Sequence, residues 1–129
     1  MPKRSSSLPT EAELEILNVL WQRGPSTVRE VHEVLQADRT TAMTTTLKII
    51  QYMEAKGLVR RDEGRPARFM AAIGREKTQA GLLGDLVRRA FDGSVRKLLV
   101  RAVEDVGISP DEYDQLRKLI GARKRKQGD

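Results

Sequence analysis

Residues 39–59 read RTTAMTTTLKIIQYMEAKGLV, and this stretch decides how the rest of the chain is interpreted. Five threonines lie among its first eight residues, although threonine is a poor helix former because its branched β-carbon restricts χ1. From about Ala42 to Lys56 the pattern is nevertheless helical, and Gly57 ends it. The stretch therefore predicts a helix whose first turns carry hydroxyl side chains for a reason other than helix stability.

The predicted helix has two different faces. Its core face combines residues that recur at three- and four-residue spacing: Thr46, Ile49, Ile50 and Met53. The opposite face carries polar and small residues: Thr44, Thr45, Lys48, Gln51 or Tyr52, and Ala55. A helix in the DNA major groove reads base edges mainly with its N-terminal turns, and threonine offers a donor, an acceptor and a methyl group for thymine. We therefore predict that this face contacts DNA.

The cost of the threonines to the helix is small. It is about a few tenths of a kcal/mol per residue, against about 1–3 kcal/mol from one good base contact. The free N–H groups at the helix start also attract phosphate. The alternative is that some of these threonines have a structural role: Thr40 and Thr41 are N-cap candidates, and Thr46 packs half-buried against the core. For Thr46 we adopt this alternative.

Two helices are predicted before this one. Thr10 with Glu13 and Thr27 with Glu30 each form a capping-box pattern, and Gly24 ends the first helix. The apolar stripe of the first helix is Leu14, Ile16, Leu17, Leu20 and Trp21. The second helix, residues 28–36, is predicted to bury Val28, Val31, Val34 and Leu35.

Two short extended runs follow the third helix. LVRR (58–61) and ARFMA (67–71) flank DEGRP, whose glycine and proline predict a turn and hence a β-hairpin with a basic tip. Three helices and one hairpin, in this order, are typical of a winged helix-turn-helix domain. We predict that Arg60, Arg65 or Arg68 contacts phosphate, the alternative being that all three are solvated charges.

After Gly74 the sequence predicts only amphipathic helices, over residues 77–91, 95–106 and from a strong N-cap at Ser109-Pro110. About 50 residues give a marginal core on their own, so these apolar faces need a partner. They pack either on the N-terminal domain or on a second copy, and we favour the second copy. The predicted dimerisation residues are Leu82, Leu83, Leu86, Val87, Phe91, Val95, Leu98, Leu99, Val103, Leu116, Leu119 and Ile120.

Composition and charge narrow the class of protein. The 129 residues have a net charge of +6, yet residues 10–38 carry a local −4 and residues 39–68 a local +4. The chain has no cysteine, so disulfides and zinc fingers are excluded. MPKRSSS lacks a signal-peptide core and no run reaches transmembrane length, so we expect a soluble cytoplasmic protein that does not associate with a membrane. We also expect no metal and no cofactor.

Four successive segments resemble one known family: EAELEILNVLW, TVREVHEVL, AMTTTLKIIQYMEAKGLVRR and GRPARF. Together they are similar to the BlaI/MecI family of penicillinase-type repressors, which includes the copper-responsive CopY repressors. The resemblance spans about residues 8–120. It implies a homodimeric repressor that binds double-stranded DNA at an inverted repeat, often TACA…TGTA. It places Thr44 and Thr45 at base-reading positions and Arg65 and Arg68 on the wing.

The resulting fold class is mainly α, an N-terminal winged helix-turn-helix (three helices plus a β-hairpin wing) followed by a helical dimerisation region. The predicted divisions are a flexible arm (1–9), the DNA-binding domain (10–74), the dimerisation domain (75–122) and a basic tail (123–129). The residues predicted to contact DNA are Thr27, Arg39, Thr41, Met43, Thr44, Thr45, Lys48, Tyr52, Arg65 and Arg68. The basic run RKRK (123–126) is interpreted as a solubility tail, with nucleic-acid contact as the alternative.

The sequence departs from the family pattern at three points. Family members that are induced by a sensor protease acting as antirepressor are cut in the dimerisation region, but VRAVED (100–105) has no evident Asn-Phe site. The copper-sensing branch has a C-terminal cysteine cluster, which this chain lacks. Tyr52 stands where an arginine is common.

Three other functions are alternatives to a DNA-binding repressor: an enzyme, a protein-binding module and a DNA-binding activator. An enzyme is disfavoured because His32 is the only histidine, the acidic pairs have no nucleophile near them, and no Gly-rich phosphate loop is present. A winged-helix module that binds another protein is an alternative that salt dependence would separate. A DNA-binding activator would use the same contacts as a repressor.

Overall fold

The computed structural model describes residues 8–36 and 41–128. It divides into two compact units between Asp85 and Leu86, a boundary that falls inside one helix. The first unit contains the helices α1 (Glu11–Arg23), α2 (Val28–Leu35) and α3 (Met43–Lys56), and the start of α4 (Arg75–Ala90). Its strands are β1 (Ser26–Thr27), β2 (Val59–Arg61) and β3 (Arg68–Ala71). The order of these elements is that of a winged helix-turn-helix, as predicted.

Both capping boxes form as the sequence predicts. The backbone N–H of Glu13 donates to Thr10 Oγ1 at 3.2 Å, and the N–H of Thr10 donates to Glu13 Oε1 at 2.9 Å. The corresponding distances between Thr27 and Glu30 are 3.1 and 2.9 Å. Each pair satisfies two helix-terminal donors, and this fixes where α1 and α2 begin.

The sheet has one strand more than the predicted hairpin. Its order is β1-β3-β2 and both pairings are antiparallel, with Ser26 opposite Phe69 and Arg60 opposite Met70. A strand of two residues leaves no alternation to recognise in a sequence. Strand β1 links the connection before α2 to the wing, so the wing is held at a defined position beside the helices.

The core of the first unit is aliphatic. Its buried members come from three helices, the sheet and the connection before β2: Ile16, Leu17, Val19, Leu20, Val31, Ile50, Met53, Leu58, Val59 and Phe69. The prediction that Val34 is buried was wrong, because it is 41% exposed. The buried stripe of α2 runs through Val31, with Val28 and Leu35 on one side of it. Val34 lies on the other side, about 100–120° around the helix from Val28 and Leu35.

Helix α3 is anchored near both of its ends. Thr46 is only 4% exposed, and its hydroxyl shares a 2.9 Å hydrogen bond with His32 Nδ1 of α2. Near the C-terminus, Lys56 Nζ lies 2.7 Å from Glu13 Oε1, a carboxylate whose side chain is 8% exposed. Two neighbouring helices therefore set the rotation of α3 about its axis.

The contribution of the His32–Thr46 hydrogen bond can be measured with Thr46→Val, which keeps the side-chain shape. We expect the free energy of unfolding to fall by about 1 kcal/mol, since the imidazole loses its partner. Denaturant unfolding with an unchanged m-value is the measurement. Thr45→Val, on the exposed face of the same helix, is the control and should change stability much less. Equal stability of the two variants would contradict this role of Thr46.

The second unit consists of helical segments. After the end of α4 come α5 (Val95–Arg101), a π-helical turn (Ala102–Val106) and α6 (Pro110–Gly128). Ser109 and Glu112 form the predicted capping pair, with distances of 3.0 and 3.1 Å. Two features differ from the sequence prediction: α5 changes to a π-helical turn, and α6 continues through RKRK. No helix in the described ranges has the length and apolarity to cross a membrane.

Candidate nucleic-acid interface

The outer face of α3 carries the polar side chains that the sequence predicts there. Thr44, Thr45, Lys48 and Tyr52 are all exposed, and with Ile49 they line one shallow depression. Behind them, Ile50 and Met53 are fully buried. The helix thus presents donors and acceptors outward from a rigid support. This is the geometry that a helix needs in order to enter a major groove.

The start of α3 differs from the alternative in which Thr41 is the N-cap. The N-cap residue is Ala42, which has no capping side chain, so Thr41 is not the cap. Instead, the backbone N–H of Thr41 donates to Gln36 Oε1 at the end of α2, at 2.9 Å. Because no side chain among the described residues caps α3, N–H groups of its first turn are open to an anion from that part of the chain.

A second row of α3 residues faces a cleft that the sequence did not predict. Met43, Leu47 and Gln51 line it together with the start of α2 and the wing. Arg29 and Arg61 also line this cleft, beside the Met43–Leu47–Gln51 row of α3. Arg61 lies over the Phe69 ring, 5.3 Å from its centroid. The excess of basic residues in 39–68 includes Arg61, but nothing in the spacing identifies Arg29.

The wing tip is ordered by one carboxylate. Asp62 Oδ1 accepts the backbone N–H groups of Gly64 at 2.9 Å and of Arg68 at 2.8 Å, and the N–H of Asp62 donates to the Arg68 carbonyl at 2.9 Å. The peptide bond between Arg65 and Pro66 is cis. The side chains of Arg60, Arg65 and Arg68 are exposed around this tip.

Hydrogen bonds from the Arg68 and Gly64 backbone lower the pKa of Asp62 below its ordinary value of 3.8. A lowered pKa in the folded state means that the ionised carboxylate stabilises the wing above pH 3.8, and that this is lost as the pH falls through the lower, folded-state pKa. We expect an NMR titration of the Asp62 carboxyl carbon to give a midpoint below 3.8, with the Gly64 and Arg68 amide resonances shifting at the same pH. In Asp62→Asn these amide shifts should be absent. A midpoint at or above 3.8 would contradict this account of the wing.

The first turn of α2 and the wing also interact through charge. The Thr27 N–H, followed by the charges of Arg23 and Arg68, lowers the pKa of Glu30. Arg23 Nη2 lies 3.8 Å from Glu30 Oε2. The positive charge of Arg68 is therefore partly compensated in the free protein, whereas Lys48 and Arg65 make no ion pair within the described residues.

Comparison with known proteins identifies the family of this chain. The family model described as penicillinase repressor matches residues 9–122. The chain belongs to the penicillinase repressor family. Its members are DNA-binding transcriptional repressors, so the prediction that this protein binds DNA agrees with the family.

Individual penicillinase repressor relatives agree with this assignment. The transcriptional regulator BlaI of Mycobacterium tuberculosis is 40% identical over 114 residues, which cover 85% of this chain and 80% of that protein. The methicillin resistance regulatory protein MecI of Mammaliicoccus sciuri is 19% identical over 115 residues, 88% of this chain and 94% of that protein. Both relatives are regulatory proteins.

A solved structure shares the fold of this chain. It is a transcriptional regulator from Thermotoga maritima, with a TM-score of 0.50 and 21% sequence identity. The match covers 96% of this chain and 82% of the other. The predicted fold class, mainly α with a winged helix, is confirmed.

The structure shows where the remaining residues predicted to contact DNA lie. Thr27 is half-buried as the N-cap of α2, and its hydroxyl already accepts the Glu30 N–H. Thr41 is half-buried, whereas Met43 is 37% exposed at the edge of the cleft. Arg39 lies outside the described residues.

The residues predicted to form a dimer differ in exposure. Val87 is only 7% exposed in the single chain, so it contributes little surface to a second copy. Leu82, Phe91 and Leu98 are half-buried. The others are exposed: Leu83, Leu86, Val95, Leu99, Val103, Leu116, Leu119 and Ile120.

The segment of residues 100–105, which has no Asn-Phe pair, lies at the end of α5 and in the π-helical turn. Arg101 pairs with both Glu104 and Asp105 in it. A sensor protease as antirepressor stays a prediction from the family resemblance.

Proposed function

We propose that this protein is a homodimeric repressor that binds an inverted-repeat operator, with one α3 helix in the major groove of each half-site. The observation that carries the proposal is the exposed Thr44–Thr45–Lys48 face on a helix whose opposite face is buried. Thr44 and Thr45 are suited to contact base edges and thymine methyl groups, and Lys48 to contact a guanine or a phosphate. Half-sites of the TACA/TGTA type are the sequences expected from the family resemblance.

The surroundings of α3 are suited to hold the DNA backbone. Arg65 and Arg68 project from the wing, and Arg29 and Arg61 border the cleft beside α3. Arginines at the edge of a recognition surface bind phosphate oxygens, which positions the protein on the duplex without specifying the sequence. Thr27, Thr41, Met43 and Tyr52 surround the central face and complete the proposed contact surface.

Dimerisation is supported by the exposed apolar surface of the second unit. Among its described residues, Val87 is the only buried hydrophobic side chain, while α5 and α6 expose leucine, isoleucine and valine. A segment of this size rarely forms a stable core alone, and large apolar side chains in water favour association. A second copy brings the same helices, so a two-fold interface covers both faces at once.

Selection of bound duplexes from a random pool tests the proposal directly. We expect an enriched sequence with two-fold symmetry and half-site centres separated by about one helical turn of DNA or a multiple. An asymmetric selected site would argue against the symmetric dimer, and no enrichment would argue against sequence-specific binding.

The apolar Met43–Leu47 row favours one alternative, a winged helix that binds another protein. The two modes differ in salt dependence. Binding through several phosphates weakens steeply between low and physiological salt, whereas an apolar protein interface changes little. Fluorescence anisotropy of the selected duplex across a salt series therefore separates them.

A further inference from the structure

The last turns of α6 carry six basic side chains and no acidic one. They are Arg117, Lys118, Arg123, Lys124, Arg125 and Lys126, all exposed. None of them forms an ion pair with any residue in the described part of the chain. The acidic residues of α6 lie in its first turns, at Asp111, Glu112 and Asp114. Charge is thus segregated along the helix.

The basic run is helical, and this concentrates its charge. In a helix, ten residues span about 15 Å, so residues 117–126 place six positive charges over that length. Side chains such as Arg123 and Lys126, three residues apart, are neighbours and repel each other. The helix dipole compensates only part of this repulsion. A polyanion would compensate much more.

The pattern of α6 distinguishes between possible polyanions. Its apolar stripe of Tyr113, Leu116, Leu119 and Ile120 ends at Ile120, and beyond it Ala122 is the only apolar side chain. A helix that lies on a membrane needs an apolar face beside its cations, and the turns beyond Ile120, which carry four of the six cations, have none. Double-stranded DNA needs no such face and presents one negative charge per about 1.7 Å of its axis.

From these observations we propose that the end of α6, residues 117–126, is a second DNA-contact surface that binds phosphates without sequence preference. The inference rests on the proposed function, because operator binding keeps duplex DNA close and makes the second contact effectively intramolecular. The surface would act on DNA flanking the operator or on a second duplex, and in either case it raises affinity more than specificity.

The test is the salt dependence of binding for Lys124→Gln/Lys126→Gln. Glutamine preserves helix propensity and removes only the charge. Affinity is measured over a salt series on a long duplex with the selected site and on an equally long duplex with the site scrambled. We expect the slope of log K against log salt to become shallower by about 0.9 for each phosphate interaction removed, hence by about 1.8 per bound protomer, on both duplexes.

Lys77→Gln/Arg96→Gln is the matched control, since it removes two exposed charges that form no ion pair with any described residue, and it should change the slope much less. A shallower slope confined to the duplex with the site would also support the second surface. An unchanged slope on both duplexes, or an equal change in the control, would overturn the proposal. If neither protein prefers the selected site, the proposed function fails, while the slope on the scrambled duplex still decides this inference.

Discussion

Lys48→Ala is expected to weaken binding to the selected operator by about 30-fold or more while leaving the protein folded. Lys48 is exposed on α3 and has no ion-pair partner in the described structure, so its removal costs the free protein little. An interaction worth about 1 kcal/mol in each half-site sums to about 2 kcal/mol for a dimer, and about 1.4 kcal/mol corresponds to a factor of ten. The loss of affinity should be smaller on non-specific DNA, to which Lys48 contributes only its positive charge.

Titration of labelled operator duplex measures this effect, and denaturant unfolding verifies that stability is retained. Lys77→Ala is the control, because Lys77 is an exposed lysine of α4 outside the proposed surface. If Lys48→Ala binds the operator as tightly as the wild-type protein does, DNA does not bind on the Thr44–Lys48 face.

Leu119→Glu/Ile120→Glu is expected to give a monomer that binds the palindromic site at least about 100-fold more weakly. Both side chains are more than half exposed on α6, so the change does not open the core of the first unit. In a dimer interface, however, it would place four carboxylates in an apolar environment without partners, which is strongly unfavourable. Loss of the second half-site then removes the gain from bivalent binding, about 10²–10⁴-fold.

Sedimentation velocity gives the oligomeric state, and operator titration gives the affinity. Lys118→Glu is the matched control for sedimentation. It changes the charge of α6 by the same amount as the double substitution, but on the side of the helix away from Leu119 and Ile120. We expect this control to sediment as the dimer. If the Leu119/Ile120 variant remains a tight dimer, α6 does not form the interface.

Local sequence signals were sufficient for much of the fold. The two capping boxes, the end of α3 at Gly57 and the two strands of the wing depend on residues close together in the sequence. The two faces of α3 were predicted for the same reason, because helical spacing alone separates Thr46 and Ile50 from Thr44 and Lys48.

Long-range geometry explains most of the differences. Strand β1 exists because Ser26 meets Phe69 across the sheet, 43 positions away in the chain. Val34 is exposed because a different side of α2, which includes Val31 and His32, packs against the core and α3. Arg29 and Arg61 reach one cleft only because α2 and the wing pack beside α3. No periodicity within a single element carries this information.

By itself, then, the sequence determined the helices, the wing hairpin, the hydroxyl-rich face of α3 and the family to which they belong. The tertiary structure alone decided which way that face points and which arginines line the cleft along α3. It does so through contacts such as His32–Thr46 and Lys56–Glu13, which join distant parts of the chain and hold α3 in one orientation. The physical reason is that spacing along a helix specifies which residues share a face, whereas packing between elements specifies what that face meets.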